Sequence, residues 1–167
     1  NVLESINDKR ISYVSEDDDG IFDAMNKGFQ LSLGDWVIFM NSGDLFYSDD
    51  VISQFINKVE SLPINVEVAY GDCVLLKTNK IQRARSDVSC LRKGDAFASH
   101  QSMFFRTKQK YDLRYSIFGD LDLLSAIYKR SGKDAFFYLG LPVAIYEGGG
   151  ISDTITRKKR YEKLVCI

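Results

Sequence analysis

The sequence predicts an α/β fold: a mixed sheet with helices packed against it. Three observations carry that expectation. Short apolar runs alternate with segments whose apolar residues recur at helical spacing. The run Trp36-Val37-Ile38-Phe39-Met40 is apolar throughout, the pattern of a strand buried on both faces. Residues 66–86 are strand-like and broken once, at Thr78-Asn79-Lys80, as a hairpin would be. A hairpin inside a β-α-β-α series makes the sheet mixed in direction rather than all parallel.

The elements follow in order. Residues 11–14 read as a short strand, ending in the acidic turn 15–20. Ile21, Ala24, Met25, Gly28 and Leu31 then fall on one helical face, with acidic residues before the helix and Gly34 as its stop. Trp36 to Met40 makes the next strand. Val51, Ile52, Phe55, Ile56 and Val59 define an amphipathic helix that starts at Asp49 or Asp50 and is ended by Pro63. After the hairpin, residues 87–99 lack a pattern and read as loop. Met103 to Phe105 resumes as strand, and residues 111–118 read as another loop. The segment GDLDLLSAIYKRSG is a helix closed by Gly132. Residues 135–147 are strand material interrupted by Gly140 and Pro142, and residues 148–152 lead into a basic C-terminal helix. No repeat or linker divides the chain, so residues 1–167 are expected to form one domain. It begins at Asn1 rather than Met and has no signal-peptide pattern, so the expected domain is a partial one.

Composition narrows the function classes. The chain is 45% hydrophobic and 27% charged, an ordinary globular balance. With 22 basic and 23 acidic residues, it lacks the basic footprint of a nucleic-acid binder. Its one basic cluster, Arg157-Lys158-Lys159-Arg160, is a solvated helix face or a point of peripheral contact with anionic lipid head groups. Cys73, Cys90 and Cys166 are widely spaced, and with a single His they make neither a zinc pattern nor a disulfide framework. The expected setting is reduced and cytoplasmic, at most at the inner face of a membrane. No apolar run approaches the ~20 residues that span a bilayer.

Polar clusters sit at the ends of the expected elements: Asp19-Gly20 with Asn26-Lys27, Asn41-Ser42-Gly43-Asp44, and Asp120-Leu121-Asp122. The lone His100 and the glycines at 148–150 complete the inventory. In open α/β sheets ligands bind beyond the carboxyl ends of strands, where Asp44 stands. A hard cation such as Mg²⁺ or Mn²⁺ takes oxygen ligands and often needs only one or two protein carboxylates, with substrate phosphates completing its shell. A second carboxylate elsewhere can accept a proton from an attacking hydroxyl. Each residue also has a plainer reading. Asn, Ser, Gly and Asp form turns; Asp120 is a good helix cap; Asn26 and Lys27 fit an exposed helix face; His100 fits a buried, hydrogen-bonded site.

In combination, SEDDDGIFDAMNKGFQLSLGDWVIFMNSGD resembles the central segment of the family 2 glycosyltransferases, inverting enzymes with the GT-A fold. HQSMFF, GDLDLLSAIYK and GGGIS resemble later family segments in the same order, so the likeness covers most of residues 11–155. The resemblance implies a nucleotide-diphospho-sugar donor and a glycan or lipid-linked acceptor. It implies Asp44 as ligand of a divalent cation and Asp120 as general base, with Asp122 its rival. Asp19, Gly20, Asn26 and Lys27 would face the donor, with His100 and Gly149 nearby. Gly43 stands where the family has its first acid, leaving Asp44 the only carboxylate of that motif. Only residues 1–10 precede Ile11, where the family builds its base pocket. Two other readings follow: a non-catalytic module or remnant that needs a partner, and a nucleotidyltransferase, for which no basic Gly-rich phosphate loop is visible. An incomplete sheet would also expose apolar surface and favour a homo-oligomer.

Overall fold

The computed structural model describes residues 5–149 and Glu162. Three helices and six strands follow one another as α1 (Ile21–Leu31), β1 (Trp36–Ile38), β2 (Leu45–Phe46), α2 (Val51–Val59), β3 (Val68–Leu75), β4 (Lys80–Gln82), β5 (Met103–Arg106), α3 (Gly119–Ser131) and β6 (Phe136–Tyr146). The strands form one sheet in the order β1-β5-β3-β6-β2, with β4 attached to β3. β3 is the hub. It runs parallel to β6, while its first half pairs antiparallel with β5 and its second half with β4.

Strand periodicity divides the core in two. Val68 and Tyr70 of β3, and Met103 and Phe105 of β5, point toward α1 and α3. Ala69 and Phe104, between them, point toward α2. On the first side α1 contributes Phe22, Met25 and Phe29, and α3 contributes Leu121, Leu124 and Ile127, all buried. On the second, Phe55 stacks on Phe104 with ring centroids 3.8 Å apart, and Trp36 meets Phe55 edge-on. The result is the mixed α/β sheet flanked by helices that the sequence predicts.

Several expectations are corrected. Residues 11–14 are not a strand; they lie exposed and join none of the described strands of the sheet. β1 stops at Ile38, two residues short of Met40, where its pairing with β5 ends at Phe104. Gly140 and Pro142 do not end β6, which continues as one element of 11 residues, but its register against β3 shifts across them, between Tyr138 and Ala144. The expected loop at 87–99 contains a 3-10 segment, Val88–Lys93, that sends Val88 and Leu91 into the core. β2 had no sequence signal beyond the turn before it. The basic C-terminal helix lies outside the described residues, Glu162 excepted.

Candidate active site

One cavity of about 560 Å³ opens where the ends of several elements converge. Its walls are the start of α1, the turn 41–44, the end of β4, the segment 98–101, the approach to α3, and the residues that follow β6. Of the sequence-predicted residues, Asp44, His100, Asp120 and Gly149 line it.

Asp44 ends the turn that follows β1. Its backbone N–H donates to the Asn41 carbonyl at 3.1 Å, and its Oδ1 accepts from the Glu147 N–H at 3.0 Å. That bond ties the turn to the end of β6 and leaves the side chain 8% exposed. Asp120 sits in the first turn of α3, where its Oδ1 accepts from the Leu121 N–H at 2.8 Å. Burial holds its carboxyl above the ordinary aspartate range, against the opposing pull of His100. Burial likewise pushes the His100 imidazole down, against the attraction of Asp120. His100 Nε2 and the Tyr111 hydroxyl share a hydrogen bond of 2.7 Å, and the His100 ring stacks beside Phe39.

Asn26 stands behind this group rather than in the cavity. Its Nδ2 donates to the Tyr111 carbonyl at 3.0 Å, and the Tyr111 N–H donates to its Oδ1 at 2.8 Å. Both polar atoms are committed, so Asn26 fixes Tyr111, and Tyr111 in turn fixes His100. Asp19, Gly20 and Lys27 also lie away from the lining. Lys27 pairs with Glu16 at 2.9 Å and Asp23 at 3.3 Å and donates to the Asp17 carbonyl, which pins the acidic turn to α1. The Asp19 N–H donates to Asp23 and the Gly20 N–H to Asp18. Asp122 does not line the cavity; burial raises its pKa, Asp112 adds to the rise, and Tyr115 bonds its carboxyl. Gly150, Ile151 and Ser152 lie outside the described residues.

Two carboxylates escaped the sequence reading. Glu147 follows β6 and lines the cavity beside Asp44. Its one signal was an acid closing an apolar run beside glycine, as Asp44 is an acid beside Gly43 after the run 36–40. Glu162, 4% exposed, bonds the approach to α3. Its Oε1 accepts from the Ser116 N–H and hydroxyl, and its Oε2 from the N–H groups of Ile117 at 2.8 Å and Phe118 at 3.1 Å. Burial pushes the Glu162 carboxyl up, but these bonds outweigh it and hold the group below its ordinary range. Nothing in the sequence pattern marks so distant a cap.

The lining is thus acidic. Asp44, Asp120 and Glu147 face one space, and no Lys or Arg is among its described walls. An anionic ligand would meet repulsion there unless a cation came with it. Among the described residues no three His, Cys, Asp or Glu side chains cluster tightly enough to hold a metal by themselves. An oxygen donor set of one or two carboxylates fits Mg²⁺ or Mn²⁺ provided a ligand such as phosphate supplies the rest. Among the described residues no helix is long and apolar enough to cross a membrane.

Comparison with known proteins adds the family context. The family model described as glycosyl transferase family 2 matches residues 1–133. The chain is 29% identical over 165 residues to a "PGL/p-HBAD biosynthesis glycosyltransferase" of Mycobacterium bovis (strain BCG / Pasteur 1173P2). It matches a protein of the same description from Mycobacterium tuberculosis (strain ATCC 25177 / H37Ra) equally well. In each case the alignment covers 93% of this chain and 62% of the relative, so the chain spans less than two thirds of the proteins it matches.

Proposed function

Because the chain belongs to glycosyl transferase family 2, we propose that it transfers a sugar from a nucleoside-diphosphate donor to a hydroxyl of a glycan or lipid-linked acceptor. The observation that carries this reading is the convergence of Asp44 and Asp120 on one cavity from separate elements. The mycobacterial relatives, named as glycosyltransferases, support glycosyl transfer in general.

In this reading the acceptor hydroxyl attacks the anomeric carbon in a single displacement. The new C–O bond forms as the bond to the diphosphate oxygen breaks, so the configuration inverts. Asp120 receives the hydroxyl proton. Burial makes its carboxylate a stronger base than an exposed one, which suits proton acceptance near neutral pH. Tyr111 and His100 hold the wall beside Asp120, and His100, its charge disfavoured by burial, leaves the carboxylate free to take the proton. Asp44 is the residue that would hold Mg²⁺ or Mn²⁺; bound there, the cation supplies positive charge against the departing diphosphate. The mostly buried Asp44 side chain is held in the wall by Glu147 N–H. A lipid-linked acceptor would place the reaction at the cytoplasmic face of a membrane.

The test is a matched pair of variants, assayed for nucleoside diphosphate release from UDP- and GDP-sugars and for UDP and GDP binding by calorimetry. Asp120→Asn should lower turnover by about 10²- to 10⁴-fold, the usual contribution of a positioned base, with nucleotide binding retained. Asp44→Asn should lose the Mn²⁺-dependent part of nucleotide binding. Unchanged turnover in Asp120→Asn removes it from the reaction.

A further inference from the structure

We propose that Glu147 is the second protein carboxylate of the cation site, admitted beside Asp44 by the missing side chain at Gly43. The proposal rests on the reading of Asp44 as a cation ligand and extends it to a residue outside the turn.

The argument begins with register. β2 and β6 pair antiparallel, with Leu45 opposite Ile145 and Phe46 opposite Ala144. Continued two residues beyond Leu45, the same register sets Gly43 opposite Glu147. Directly opposed residues in an antiparallel pair project to the same face and compete for the same space. Gly43 leaves that space empty, and the Glu147 side chain fills it. A Cβ built on Gly43 would lie 1.8 Å from Glu147 Oε2 and 2.9 Å from its carboxyl carbon. The Glu147 carboxylate therefore lies over position 43, where a side chain on that residue would begin. Gly43 also has φ +90, a conformation that side chains rarely adopt, so turn geometry and carboxylate placement favour the same residue.

The backbone bond from Glu147 N–H to Asp44 Oδ1 completes the arrangement, because it fixes the main chain of one acid against the side chain of the other. Both line the same cavity. Among the described residues no Lys or Arg forms an ion pair with either carboxylate. The two acids stand in one wall, and a divalent cation between them would take an oxygen ligand from each. The oxygen ligand from position 147 then supplies what the turn, with Asp44 as its only acid, lacks.

Electron paramagnetic resonance of Mn²⁺ titrated into the chain, alone and with UDP, tests this directly. Glu147→Gln keeps the shape and removes the charge; Gly43→Ala keeps the charge and displaces it. Each should weaken Mn²⁺ binding about tenfold or more relative to the unaltered chain. In EDTA, Glu147→Gln should bind UDP at least as tightly as the unaltered chain, since one repelling charge is gone. That opposite sign separates a ligand from a residue that only shapes the wall. Mn²⁺ affinity within twofold of the unaltered chain in Glu147→Gln, with loss in Asp44→Asn, overturns the role of Glu147 and leaves Asp44 standing. Failure of the unaltered chain to bind Mn²⁺ even with UDP overturns the Asp44 reading and this proposal with it.

Discussion

Asp120 meets two opposing demands. The proposed proton acceptance requires it charged, yet burial disfavours that charge and raises its pKa. The sign for stability follows from linkage. With a folded pKa above the unfolded one, the penalty is absent below the unfolded value and grows as pH rises through the folded value. Asp120→Asn should therefore melt at a higher temperature than the unaltered chain at pH 7. The difference should vanish near pH 3, where both side chains are neutral. Thermal melts at the two pH values check this, and equal melting temperatures at pH 7 would contradict the penalty. Gain of stability with loss of turnover is the expected trade at a site strained for function. The place of Asp44 and Asp120 in the cavity wall was legible in the sequence because each closes or opens an element with an unexplained acid. The place of Asn26 behind the wall was not, because helical spacing cannot tell a residue facing a cavity from one facing a neighbouring loop. Its partner, Tyr111, lies 85 residues away.

Among elements, the helices were legible nearly to their ends but not always to their buried face. Of the expected Ile21, Ala24, Met25, Gly28 and Leu31 only Met25 is buried, and the core stripe of α1 is Phe22, Met25 and Phe29. Strands were read less well because pairing, not propensity, decides them. Residues 11–14 have strand composition but join none of the described strands of the sheet, whereas Leu45 and Phe46 become β2 only because β6 lies alongside. α3 shows what a local reading misses most. Its N-cap residue, Phe118, makes no side-chain cap, and the amides leading into it are held by Glu162. Glu162→Ala should cost about 1–3 kcal/mol at pH 7, the usual penalty for stranding buried donors. The pKa of Glu162 is depressed, so its contribution is complete above the ordinary glutamate value and is lost as pH falls through the folded one. Urea melts should therefore show a gap between variant and unaltered chain that closes in acid. A gap that persists unchanged would point to packing rather than charge.

For the whole molecule, the two half-cores depend on a close β3–β6 contact. Gly71 sits at its tightest point: an added Cβ would come within 2.3 Å of the Leu141 carbonyl oxygen and 2.6 Å of Val143. Gly71→Ala should separate the strands, lower stability by about 1–3 kcal/mol in denaturant melts, and displace the end of β6 that carries Glu147. The tie between Glu162 and α3 has a different consequence at this scale. The cap reaches its helix because both belong to one unbroken chain, Glu162 lying 45 positions after Ile117. Continuity of that kind supplies an effective concentration that a severed peptide would have to match from solution, commonly in the millimolar range. A single proteolytic cut between Gly149 and Glu162 would leave every wall residue of the cavity in place. It would still turn the support beneath Asp120 from a fixed part of the fold into a dissociable ligand.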